Sequence, residues 1–256
     1  MMKRKFQKDL QRNVERSVIR TGVFTEQDIK FLPEPVQNHI KAVGLIGKPI
    51  MSKTLLQAPS ASLFQSKKSK PIKLDFNLHL FGYKPIRMVY MKSSMFGIPF
   101  EAVDSFQDGE GFMKGVIGKV FTLFNQTGAD MSKAQLLTYL GESLLVPSVI
   151  FNEHITWETL DTNHVKATIT YGELSGSGVF TFDDSGFFQS FRTNERAKID
   201  TNGSVSFPEW SVVFGDWIKD KNDIYLPSNI NAIWHEADGD LVYFQPTNGI
   251  DVVFNY

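Results

Sequence analysis

The sequence predicts a mainly β (α+β) domain, a strongly curved antiparallel sheet of about ten strands wrapped around a central helix, with helices at the N-terminus. Three observations carry this. From residue 73 onward, short runs alternate apolar and polar residues and are punctuated by turn sequences. One helical stretch, near residues 132–147, interrupts them. No regular strand–helix–strand alternation occurs, which argues against a parallel doubly wound sheet.

Residues 1–20 read as a basic amphipathic helix, with Phe6, Leu10, Val14 and Val18 on one stripe and Lys3, Lys5, Lys8, Arg12, Arg16 and Arg20 on the other faces. The stripe is expected to pack on the domain body, with anionic membrane as the alternative cover. The division expected is residues 1–24 as this helix and 25–256 as a single β-rich domain. Thr25 and Asp28 have capping-box spacing, and Leu32-Pro33-Glu34-Pro35 splits the region up to Gly44 into two short helices, the second ended by that glycine. Residues 58–71 read as a polar linker.

Strands are expected at 73–80, 86–91 and 98–104, followed by the Asp108-Gly109 turn and a glycine-spaced passage over 111–124. Ser132 and Gln135 resemble a capping box for the central helix, whose Leu136, Leu137, Leu140 and Leu144 share a stripe and which Pro147 ends. Further strands are expected at 165–171, 179–182, 187–192, 210–217, 229–235, 241–245 and 251–256.

Composition narrows the function. Lys plus Arg number 27 against 28 Asp plus Glu, a balance that offers nucleic acid no general field. The chain has no cysteine, which excludes disulfides, thiolate metal sites and cysteine nucleophiles. No run is long enough for a membrane span, and the N-terminus lacks a signal-peptide apolar region, so a soluble cytoplasmic protein, in contact with membrane at most peripherally, is expected. Neither a phosphate-binding loop nor the dinucleotide glycine pattern occurs. Gly176-Ser177-Gly178 lacks the nucleophile-elbow spacing, and its glycines read as sites of bending or close packing. His235, Glu236, Asp238 and Asp240 read as an exposed hairpin turn rather than a metal site, and no cofactor or metal is expected.

Several segments in order resemble a bacterial family, domain of unknown function 6544. They are Leu32-Pro33-Glu34-Pro35-Val36, Gly44-Leu45-Ile46-Gly47-Lys48-Pro49, Ser93-Ser94-Met95-Phe96-Gly97-Ile98-Pro99-Phe100, Leu140-Gly141-Glu142 with Val146-Pro147-Ser148, and Trp157 with Asp161. Gly178 to Asp183, Trp210 to Phe214, and Trp234 with Asp238-Gly239-Asp240 complete the set, which runs from about residue 25 to the C-terminus. The resemblance implies no established activity. Its layout is similar to the open half-barrel of lipoprotein-carrier (LolA-like) proteins, in which a curved sheet surrounds a helix and an apolar cavity. Relatives often begin with a membrane-spanning segment, where this chain has its basic helix.

Charge and aromatic content supply the candidate site residues. Glu142, with Asp104 and Glu158 as other acids, reads either as solvated, opposite the leucine stripe, or as lining a cavity enclosed by the sheet. The resemblance also places a glutamate there. Arg192 and Arg196 are its expected partners, the alternative being surface positions on a hairpin. Trp157, Trp210 and Trp234 read as core residues or as the wall of an apolar ligand site. Three functions stay open: binding of a lipid or other apolar small molecule, carboxylate chemistry around Glu142, and docking on a partner through the N-terminal helix.

Overall fold

The computed structural model describes residues 2–18, 20–95, 97–200 and 203–255. Met1 and Ile19 of the expected first helix, Phe96 of the family-like segment and Tyr256 of the last strand lie outside the described residues. Three helices come first, α1 (Met2–Arg16), α2 (Glu26–Ile29) and α3 (Glu34–Ala42). Six strands come next, β1 (Lys53–Leu63), β2 (Ile72–Phe81), β3 (Ile86–Met95), β4 (Ile98–Gln107), β5 (Glu110–Ile117) and β6 (Phe121–Gln126). Then come α4 (Ala129–Glu142), two short 3₁₀ turns over 143–145 and 147–151, and β7 (Ile155–Thr159), β8 (His164–Tyr171), β9 (Leu174–Phe182) and β10 (Phe188–Thr193). The chain closes with β11 (Lys198–Ile199), β12 (Val205–Ser206), β13 (Glu209–Lys219), β14 (Tyr225–Glu236), β15 (Gly239–Gln245) and β16 (Asp251–Asn255).

Fourteen of these strands form one antiparallel sheet in the order β6-β5-β4-β3-β2-β1-β15-β14-β13-β10-β9-β8-β7, with β16 also on β1; β11 and β12 pair separately. The sheet curls through 309° into a half-barrel. Alternation along each strand sends Leu78, Leu80, Phe106, Phe180 and Phe191 to the core that α4 also enters. The number of strands exceeds the expected ten because β1 reads as linker, because 111–124 holds two strands, and because β7 and the two-residue strands β11 and β12 carry too short an alternation to be read. Pro59 and the serines around it hide β1. The register shifts between Ala58 and Ala61, and Ser60 takes φ 59°, so Pro59 sits at a bulge where its missing N–H costs no ladder bond.

The entry helices form as their capping signals require: Thr25 and Asp28 make a reciprocal capping box, and Pro35 occupies the first turn of α3. α1 packs on the outer face of the sheet through Phe6, against Met88, Tyr90 and Val103. Burying Phe6 contributes about 2 kcal/mol. Buried Asn13 donates to Gln107 Oε1 at 2.7 Å. The expected stripe is shorter than read, since the helix ends at Arg16 and Val18 is exposed beyond it.

The central helix differs from the capping-box expectation. α4 starts one turn earlier, after Gly128, and Ser132 is a buried interior residue whose hydroxyl accepts the Gly111 N–H at 3.0 Å. The reason is contact. A Cβ on Gly111 would lie 2.6 Å from Ser132 Cα, so helix and strand meet backbone to backbone. A side chain at Gly176 would likewise meet Leu137 at 2.8 Å. From Met131 to Glu142 every residue except Lys133 is buried, so α4 lies inside the half-barrel with no solvated face. None of the helices among the described residues is long and apolar enough to cross a membrane.

Candidate functional site

An α-helix buried on all sides must still satisfy its polar side chains. Gln135, Thr138 and Glu142, at spacings of three and four, make one polar stripe on α4, and two arginines meet it. The first comes from β3. Arg87 donates from Nε to Glu142 Oε2 at 2.7 Å and from Nη2 to Glu142 Oε1 at 3.0 Å, a two-pronged pair. Its Nη1 donates to Asp104 Oδ2 at 2.7 Å and to Gln135 Oε1 at 3.3 Å. Asp104 reaches it from β4 because it stands two residues from Phe106, the cross-strand partner of Arg87.

Burial sets the electrostatics. Desolvation acts to lower the Arg87 pKa, but the Glu142 and Asp104 carboxylates outweigh it and hold the guanidinium charged. Desolvation pushes the Glu142 carboxyl upward, against the pull of Arg87. One acceptor, Asp104 Oδ1, is buried without a hydrogen-bond partner among the described residues.

The second arginine joins β10 to the β11–β12 hairpin. The Arg196 guanidinium lies 4.8 Å from the Trp210 ring and 4.8 Å from the Trp234 ring, and its Nε donates to Thr138 Oγ1 at 2.8 Å. Trp210 and Trp234 are cross-strand partners on β13 and β14, which is why their rings can hold one cation between them. Trp210 Nε1 donates to Tyr243 Oη at 3.0 Å, and the Tyr243 ring stacks on Trp234 at 5.8 Å. Among the described residues neither Nη of Arg196 donates a hydrogen bond, and neither is shut off from solvent. Register puts Trp210 and Trp234 at the same end of the barrel as Leu63 and Ile98, opposite the end that holds Arg87, Gly111 and Phe81.

The expected site residues therefore divide. Arg196, Trp210 and Trp234 come together, with Glu142 one helical turn from Thr138. Glu142 is buried and paired, but with Arg87 rather than with Arg192 or Arg196. Arg192 is exposed and pairs with Glu209 at 2.6 Å, because its neighbours Phe191 and Thr193 take the inward positions on β10. Arg196 lies past the end of β10, so the two arginines do not share a strand face. Trp157 is half-buried against Phe180 on β7, away from the clamp, and Glu158 is exposed. Arg87 was missed, yet Ile86 to Met91 is otherwise an apolar run, and a cation there demands a buried acid. The acids of the β14–β15 turn are engaged by Lys67 and Lys198, and His235 Nδ1 lies 2.8 Å from Asp240.

Two clefts, of about 20 Å³ and 100 Å³, lie elsewhere, one beside His39 and Trp217 and one beneath the end of α1 at Phe81 and Tyr83. Each has room for a few waters at most.

No curated protein matches the sequence. A similar solved structure is described as an outer membrane lipoprotein-sorting protein domain from Vibrio parahaemolyticus, at 9% identity over 80% of this chain and 84% of that chain, with a TM-score of 0.38. The sequence matches the family of unknown function DUF6544 over residues 22–246, so the segments that resembled that family are borne out and the chain belongs to it.

Proposed function

We propose that this protein binds, without transforming it, an amphiphile that carries an anionic head group on an apolar body, and that it does so at the open end of the half-barrel. The observation that carries the reading is Arg196. Its guanidinium lies over two indoles, spends one donor on Thr138, and among the described residues its Nη groups donate no hydrogen bond and are not sealed from solvent. A planar fork held in place with donors to spare suits a carboxylate or phosphate, and the partly exposed Tyr243 ring, backed by the buried Trp210 and Trp234, suits an apolar body. Because α4 fills the interior, the geometry supports a site at the mouth rather than a deep cavity. Carboxylate chemistry has less support, since Glu142 and Asp104 both serve Arg87 in a closed cluster.

The test is tryptophan fluorescence during titration with dodecyl phosphate below its micelle concentration, with dodecanol as the neutral control. A saturable change with the phosphate, absent with dodecanol and lost in Arg196→Gln, is expected. No saturable change, or an equal response in Arg196→Gln, overturns the reading.

A further inference from the structure

The β3–β4 and β5–β6 hairpins end side by side. The Gly118 N–H donates to Pro99 O at 2.8 Å, and a Cβ at Gly118 would come within 3.6 Å of Ile98 Cγ2. At and beside these tips the large apolar residues face water: Ile98 is 47% exposed, Val120 76%, Phe121 71% and Leu123 51%. Leu123 is turned out by a register shift between β5 and β6, which leaves it unpaired between Thr122 and Phe124. Four exposed large apolar residues in one small region are unusual for a chain that is otherwise well packed.

The charge around them is mainly basic, although Lys92 has Asp75 and Glu101 as its cross-strand neighbours. Residues 113–126 carry Lys114 and Lys119 and no acid, and residues 88–100 carry Lys92 and no acid. Lys92 and Lys119 are exposed. α1 runs along the outside of the same strands with Phe6 on Tyr90 and Asn13 on Gln107, so its N-terminal half points toward the tips and brings exposed Lys3, Arg4, Lys5 and Lys8.

We propose that these tips are a membrane-docking prong whose occupant is an anionic lipid bilayer. Ile98, Val120, Phe121 and Leu123 enter the boundary between head groups and acyl chains, and the lysines around them meet the anionic heads. A second copy of the chain would have to bring these same lysines together, which charge disfavours. The surface is distinct from the Arg196 clamp and does not rest on the amphiphile reading.

The test is co-sedimentation of the full chain with vesicles of phosphatidylcholine alone and of phosphatidylcholine mixed with phosphatidylglycerol. Binding to the mixed vesicles, weakened by salt, is expected. Val120→Ser with Phe121→Ser should weaken it about tenfold or more while leaving the melting temperature unchanged, because both side chains are already in water. Lys92→Glu with Lys119→Glu should abolish the preference for phosphatidylglycerol. The same serine variant should keep the parent's fluorescence change with monomeric dodecyl phosphate, which separates this surface from the amphiphile site. No binding to mixed vesicles overturns the proposal. So does equal binding by the serine variant, or a dimer that the serine substitutions dissolve in a protein that ignores vesicles.

Discussion

The two arginines that meet α4 end in opposite situations. Arg87 gives four hydrogen bonds to Glu142, Asp104 and Gln135 and is buried. Among the described residues Arg196 gives one, to Thr138, and is otherwise held by the faces of Trp210 and Trp234. Both touch the same polar stripe of the same helix. The difference teaches that donor accounting, more than residue type, separates a fastener from a receptor: a saturated buried cation has nothing left to offer a ligand, while a clamped and half-satisfied one does.

The sharpest way to break this comparison is Arg87→Ala, which leaves Glu142 and Asp104 buried without their cation. A loss of about 4 kcal/mol in urea unfolding is expected, and Glu142→Ala should cost about 3 kcal/mol by stranding Arg87. If the cluster is a fastener alone, joint replacement of Arg87, Glu142 and Asp104 by Met and Leu should restore most of the stability.

Next in size, taken one histidine at a time, is an acid response at the same end. Burial holds buried His39 down at about 4, against a raising contribution from the Gly186 backbone, and its Nδ1 accepts the Phe188 N–H at 3.1 Å. Burial, with Lys53 nearby, also lowers His79 to about 4. In both cases the folded state disfavours the proton. Stability should be complete above pH 6.5, the ordinary value, and fall as pH drops toward 4, by up to about 1.4 kcal/mol per pH unit for each histidine. Urea midpoints across that range measure it, and His39→Gln should flatten the slope.

Gly111→Ala comes third. The added methyl would press on the Ser132 and Met131 backbone, at 2.6 Å and 2.8 Å, and should cost about 2 kcal/mol in melting experiments. The smallest effect belongs to Arg196→Gln, about 1 kcal/mol, from two partly wetted cation–ring contacts and one hydrogen bond. A loss comparable to that of Arg87→Ala would erase the distinction between the two arginines.

Local signals located the elements whose causes are local. Alternation in Lys73 to Leu80 and Val165 to Tyr171 marks β2 and β8, and Thr25 with Asp28 caps α2, because pleat and cap are properties of a few neighbouring residues. Glu142, Arg196, Trp210 and Trp234 were legible as candidates, since charges and indoles stand out in a chain of ordinary composition. Their pairing was not. Arg87 and Glu142 are 55 residues apart, and Arg192 and Arg196 were the expected partners.

The sequence by itself determined the antiparallel β class, the place of the helix in chain order and the absence of thiol chemistry. Only the tertiary structure decided which arginine closes on Glu142, that Pro59 belongs to a strand, and that Ser132 serves β5 instead of capping α4. The physical reason is curvature. As the sheet rolls through 309°, it sets side chains from β3, β4 and the segment after β10 against one helix, and no periodicity along the chain encodes distances across that interior.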